Sequence, residues 1–312
     1  MYSVCNEDLI MWMLLVLFYG LCKGGREIVK KKAMEQSTVI EVLLFYTFVS
    51  FMMVVPQVSK AGGLETKYYF YIALKSFFIF IAWICSFKAL KSMPISLYGV
   101  LDLSRVLFAT LLGVFVLGES LGFFQRAGLA LVCLGLLSLK VRIRFIERLF
   151  EKKDQDGNSV PDDKKNTDTK PVTPLVVIAA FVSCMLNALS GLMDKILMKE
   201  ITSSQLQFWY MLFLLSYYII YILISRRKIR MSTLKNKWVW LLALLFVLAD
   251  KALFVANGME GSKITVMTLI KQSGCIVTIL GGKFVFKEKN VGYKFFCAAV
   301  IIAGIVAGVI GA

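Results

Sequence analysis

The sequence predicts an all-α integral membrane protein with ten transmembrane helices, arranged as two inverted five-helix repeats. Three observations predict it: the composition, the spacing of the apolar runs, and a match between the two halves. Of 312 residues, 58% are hydrophobic and 18% charged, and the mean hydropathy is +0.74. Soluble domains are about half apolar and about a quarter charged, so the apolar excess must face lipid. The formal charge of +16 is then a question about membranes before it is one about nucleic acid, which would need a solvated basic face.

A spanning helix takes about 20 mostly apolar residues. Ten such runs occur, at 9–27, 38–58, 68–88, 94–118, 122–140, 174–198, 204–225, 238–257, 262–286 and 291–311. The start, MYSVCNEDLI, is acidic, so the first run is read as a retained span and not a cleaved signal. Most connections are short. The exception, 141–173, contains EKKDQDGNSVPDDKKNTDTK, which is polar and rich in both signs of charge. It reads as a disordered linker between a first repeat at 1–140 and a second at 174–312.

A shift of 169 lays residues 88–135 on 257–304 without a gap. It matches Ser104 with Ser273, Gly113 with Gly282, Phe115 with Phe284, Val116 with Val285, Glu119 with Glu288, Ala130 with Ala299 and Gly135 with Gly304. Because five is odd, a second copy enters the membrane upside down. The pair is then related by an axis in the membrane plane, the arrangement of secondary transporters whose sites lie between the repeats.

The segments PISLYGVLDLSRVLFATLLGVFVLGESLGFFQRAGLALVCLG and ITVMTLIKQSGCIVTILGGKFVFKEKNVGYKFFCAAVIIAG resemble the paired signature of EamA-like members of the drug/metabolite transporter superfamily. In that family a span ends in an L-G-E-like triplet followed by a Gly-containing span. The triplets here are Leu117-Gly118-Glu119 and Phe286-Lys287-Glu288. The family often carries proline where Val106 and Cys275 stand. The resemblance implies ten spans, a central cavity and export or exchange of small metabolites; it does not name the metabolite.

Of the 36 cations, 24 fall in odd-numbered connections, Lys23, Arg26 and Lys30–Lys32 among them, against Lys60, Lys67, Lys199 and Lys263 on the other side. The positive-inside rule puts the larger group in the cytoplasm and both termini outside, whereas the resemblance implies cytoplasmic termini. The cell (plasma) membrane is the expected location.

Charges within spans are costly, by about 3 kcal/mol or more at the bilayer centre. Arg126, Lys195, Lys283 and Lys294 lie near span ends, where snorkelling explains them, and Glu41 reads as interfacial. Glu119 and Glu288 are expected to meet the N-terminal dipole of their own spans; with Gly118 they are a structural signature. Asp102 and Arg105 share a helix face at i, i+3, and the repeat shift puts Lys271 on Asp102. Asp250 and Lys251 are adjacent and point about 100° apart, so both cannot face lipid harmlessly. Lys75 either snorkels or faces the cavity. Asn187, Ser190 and Asp194 form a polar stripe, open equally to interhelical hydrogen bonding. Trp83 and Tyr98 are candidate cavity aromatics.

These residues point to binding of a small charged or zwitterionic metabolite. Asp102 would meet an ammonium or carry a coupling proton; Arg105 and Lys271 would meet a carboxylate or phosphate. Phosphorylated or nucleotide-linked sugars, or a lipid-linked head group, also suit the surplus of cations. No histidine is present, which removes Ser-His-Asp and Cys-His systems and H-E-x-x-H zinc sites. The seven cysteines show no C-x-x-C spacing, so no metal or cofactor is expected. A membrane transferase would need paired carboxylates for magnesium, and none stand out. A channel or scaffold leaves the in-span charges unexplained. The expected partners are a small-molecule substrate, a coupling proton or ion and the bilayer, with no nucleic acid. Gly304 and Gly308 form G-x-x-x-G, read as tight packing within the monomer or in a homodimer.

Overall fold

The computed structural model describes residues 2–117, 122–124, 126–135, 138, 173–259, 267, 270–288 and 291–310, with side chains described from Ile10 onward and not at every helical position. Of the expected linker at 141–173, all but Thr173 lies outside them, as do Gly118 and Glu119. The described residues form helices and no strand. In chain order these are α1 (Tyr2–Ala33), α2 (Val39–Val54), α3 (Thr66–Ser92), α4 (Ile95–Asp102) and α5 (Ser104–Leu117), then α6 (Arg126–Gly135). They continue with α7 (Pro174–Leu197), α8 (Ser203–Ser225), α9 (Lys237–Gly258), α10 (Ser273–Phe284) and α11 (Val291–Ile310). Among the described residues, six spans are long and apolar enough to cross a membrane, at Val39–Lys60, Thr66–Ser92, Ile95–Leu112, Pro174–Leu197, Ser203–Ser225 and Lys237–Gly258, with shorter apolar helices at α6, α10 and α11.

The outward faces explain the composition. Phe70, Leu175, Leu223, Ile224 and Phe296 are all more than 60% exposed, which is tolerable only where the surroundings are themselves apolar.

Helix starts are written locally. Thr38 and Glu41 form a capping box at α2, and Thr202 and Gln205 form one at α8. In each, the Thr hydroxyl accepts from the third backbone N–H and the Glu or Gln side chain accepts from the Thr N–H. Glu41 therefore departs from the interfacial reading. It is 2% exposed and also accepts from Arg230, through the backbone N–H at 3.1 Å and the guanidinium at 3.0 and 3.1 Å. That bond holds Arg230, outside the spans, above its ordinary pKa.

Two helices are broken at matching places. α4 ends at Asp102, Leu103 turns, and α5 begins at Ser104; before α10, residues 270 and 271 are helical and Gln272 turns. At the first break the Val106 N–H donates three residues back to Leu103, and at the second the Cys275 N–H donates three residues back to Gln272. The 169 shift superposes both pairs. Val106 and Cys275 are the positions where the resembled family often has proline, so the break persists without one. Carbonyls at the first break find unusual donors: the Cys275 thiol donates to Gly99 O at 3.3 Å and the Cys184 thiol to Leu101 O at 3.7 Å. A tight 3₁₀ turn inside a helix is a common hinge.

Packing joins one half of the chain to the other. α1 lies against α9 and α10; α3 against α7 and α8; α2 against α8 and α9; α5 against α7; and α4 against α10. The α1–α10 crossing is backbone on backbone: a Cβ at Gly274 would meet the Gly20 carbonyl, and one at Gly24 would meet the Gly274 carbonyl. A second close approach joins α6 to α11, where a Cβ at Gly304 would lie 2.7 Å from Gly128 O and 2.8 Å from Leu131 Cβ. Gly304 thus packs within the monomer; the side of Gly308 is outside the described residues.

Glu288 also departs from expectation. It does not cap its own following helix. It reaches across to the N-terminus of α4, accepting from the backbone N–H groups of Ile95 and Ser96 and from the Ser96 hydroxyl. Lys294 lies 3.4 Å away and Lys31 3.6 Å away, and Lys294 also donates to Ser96 Oγ at 2.6 Å, so Lys294 turns inward and does not snorkel. Burial pushes the Glu288 carboxyl up, but the Ser96 hydrogen bonds and the two ammoniums outweigh it and hold the group below its usual range. A depressed carboxylate stabilises the fold above the unfolded pKa, and that contribution is lost as pH falls through the folded value. Glu288→Ala is expected to cost about 2 kcal/mol, because it orphans the buried donors at the start of α4. Thermal unfolding at pH 7 checks this, and the gap between wild type and variant narrows below about pH 4.

Candidate functional site

The functional side chains follow from α1. Its helix runs to Ala33, six residues past the expected end of the first span. Tyr19, Lys23, Arg26 and Lys30 recur at spacings of four, three and four, which puts them on one face. That face and residues of α2, α3, α4, α5, α7, α8, α9 and the segment before α10 enclose a cavity of about 560 Å³, lined by both halves. The two helix breaks contribute Arg105 and Val106 on one wall and Lys271 and Gln272 on another.

Ion pairs organise it. Asp102 receives Lys23 at 2.6 Å and Arg105 at 2.9 Å. Arg26 of α1 meets Asp250 of α9 at 3.2 Å, and Lys75 of α3 meets Asp194 of α7 at 3.0 Å. Lys30 meets Glu27 at 2.7 Å. Each pair is largely removed from water, which suits the rule that buried charges come paired.

Aromatic rings make another part of the wall. Tyr46, Trp83 and Phe246 pack mutually, with centroids 5.2 to 5.3 Å apart. The Arg26 guanidinium lies 5.2 Å from the Phe246 ring centre and 5.5 Å from that of Tyr19, a cation–π arrangement. Lys75 lies 3.7 Å from the centre of the Tyr210 ring. Tyr98 and Ser86 share a 2.6 Å hydrogen bond at the cavity edge.

The sequence candidates divide cleanly. Arg105, Lys271, Asp250, Lys75, Asn187, Asp194, Trp83 and Tyr98 line the cavity. Asp102 stands directly behind two of its cations. Asn187 donates to Ser183 O at 2.7 Å and also contacts the cavity. Lys251 does not join them: it points away, to Gln57 Oε1 at 3.1 Å and Ser204 Oγ at 2.9 Å. Lys195 lines the cavity in place of the snorkelling expected of it, while Arg126 and Lys283 are exposed. Lys23, Arg26, Glu27 and Lys30 were assigned by sequence to a connection. Their four-and-three spacing, continued from Tyr19, was the available signal.

Residues 10–140 match the EamA-like transporter family. That match includes the first of the two signature segments, and the EamA-like family is part of the drug/metabolite transporter superfamily. The chain is a multi-pass membrane protein of transporter type. A crystal structure described only as that of a protein shares the fold, with a TM-score of 0.62 and 13% identity, over 95% of this chain and 97% of that one. No curated protein matches the chain by sequence.

Proposed function

We propose that the chain is a secondary-active transporter, an exporter or exchanger of a small charged or zwitterionic metabolite, working by alternating access around the central cavity. The observation that carries this reading is a charged cavity lined by both halves and flanked by two matching helix breaks. Discontinuous helices beside a midplane site are how transporter folds present backbone and charge to a substrate. The proposal includes the cell membrane as location and carrier, not enzyme, as activity.

The underlying architecture in this reading is two inverted five-helix repeats, at 1–140 and 174–312, joined by a linker. The packing supports it, because exchanging the halves exchanges the contacts: α1 on α9 with α7 on α3, α2 on α9 with α8 on α3, and α1 on α10 with α7 on α5. The ion pairs follow the same exchange with their signs reversed, Arg26–Asp250 against Asp194–Lys75. The capping boxes of α2 and α8 correspond too.

Reconstitution in liposomes tests transport. Saturable flux with counterflow is expected, and Lys271→Ala is expected to reduce it; flux through Lys271→Ala equal to wild type, with unchanged substrate preference, would overturn the reading. Orientation is a separate expectation. With Lys23, Arg26 and Lys30 assigned to the cavity and not to a connection, the basic bias still favours the 140–173 side as cytoplasmic. A C-terminal tag is then accessible from outside intact cells.

A further inference from the structure

We propose that the cavity contains a subsite for a phosphate monoester, formed by Lys23, Arg105 and Lys271 with Gln272. The inference rests on the transporter reading for its biological sense but on charge balance for its chemistry. Among the described lining residues, Arg26 is matched by Asp250, Lys75 by Asp194 and Lys30 by Glu27, each one to one. Asp102 serves both Lys23 and Arg105 and so neutralises only one of them. Lys271 has no ion pair or hydrogen bond among the described residues; its ammonium lies 5.9 Å from the centre of the Tyr19 ring. With Lys195, which also lines the cavity, set apart, two positive charges are left over among these residues. Lys23, Arg105 and Lys271 line the same cavity. Leaving two partly buried cations uncompensated is costly, and a group of charge −2 removes the cost.

The polar atoms beside them fit an oxyanion with a hydroxyl or ester neighbour. Gln272 is 4% exposed and lines the cavity, and its Oε1 has no partner in the protein. Arg105 uses Nη2 on Asp102, while its buried Nε has no partner. A phosphate monoester supplies acceptors for Arg105 and Lys271, and its organic part supplies a donor for Gln272. A monocarboxylate would leave one charge unmatched.

Thermal stability of the purified full-length chain in detergent, at constant ionic strength, tests this with inorganic phosphate, a hexose 6-phosphate, a short-chain phosphatidic acid and acetate as probes. Phosphate and at least one ester are expected to stabilise the protein in proportion to their excess over Kd, and acetate to have no effect. The ester's affinity is expected to rise between pH 5 and 7, as its second proton, of pKa about 6, is lost. Stabilisation by the hexose phosphate assigns a soluble metabolite; stabilisation by the phosphatidic acid alone assigns a lipid head group. Lys271→Gln and Arg105→Gln are each expected to weaken binding by about tenfold or more, and Lys251→Gln, outside the cavity, to leave it unchanged. If one cavity variant does not fold, Lys23→Gln replaces it. Absence of stabilisation by every phosphate probe, or full affinity in the cavity variants, overturns the subsite. Counterflow of a substrate with which phosphate does not compete sinks the subsite while leaving the transporter reading intact. Phosphate binding without vectorial flux does the reverse.

Discussion

Asp250→Ala is expected to destabilise the protein by about 3 to 5 kcal/mol, because it strands a buried guanidinium. Arg26 is 7% exposed, its Nε lacks a partner among the described residues, and Asp250 is the carboxylate it pairs with, at 3.2 Å. The Tyr19 and Phe246 rings offset part of the loss, about 0.5 to 2 kcal/mol on general grounds. The pair ties α1 to α9, the contact through which the first helix meets the second half. Thermal unfolding of single and double variants measures it. Arg26→Met with Asp250→Leu is expected to recover most of the stability, since an apolar pair of similar volume has neither charge to desolvate. Flux is not expected to recover. A single Asp250→Ala variant as stable as wild type would show that the guanidinium is hydrated through the cavity and needs no carboxylate.

The second large effect belongs to a glycine. Gly24→Ala is expected to cost about 1 to 3 kcal/mol, the range for forcing extra volume into a packed interface. Its new methyl would meet the Gly274 carbonyl and lie 2.6 Å from Val277 Cβ. A carbonyl in the next helix cannot rotate away as a side chain can, so α1 and α10 must part. Gly25 is the internal control. A Cβ there meets nothing within 4 Å, so Gly25→Ala is expected to be neutral or stabilising by up to about 1 kcal/mol through helix propensity. The parting also shifts Lys271 and Gln272, which immediately precede α10, so phosphate binding and flux are expected to fall in Gly24→Ala and persist in Gly25→Ala. Equal melting temperatures for the two variants would mean that the helices do not touch through Gly24.

Much of the candidate site was legible in the sequence because a charge inside an apolar run has few places to go. Asp102, Arg105, Lys75, Asp194, Asp250 and Lys271 stand out on that ground, and all reach the cavity or its first ion pair. Lys251 stood out equally and failed, because periodicity cannot say which side of α9 is occupied by a neighbour; Gln57 and Ser204 gave it another answer. Lys23, Arg26 and Lys30 were lost for the opposite reason. A cluster of cations after an apolar run looks like a connection, and only the continuation of α1 to Ala33 turned it into a cavity wall. Glu288 was recognisable as a signature acid next to a span. That it caps α4 and not its own helix depends on a contact between residues more than 190 positions apart.

The sequence by itself determined that this chain is helical and crosses a membrane. Those properties follow from local quantities: apolar run length and helix periodicity. Only the tertiary structure decided which charges share a cavity and which cation is left over. Charge balance is a property of pairs, and the pairs here join α1 to α4 and α9, and α3 to α7, helices that no local pattern brings together.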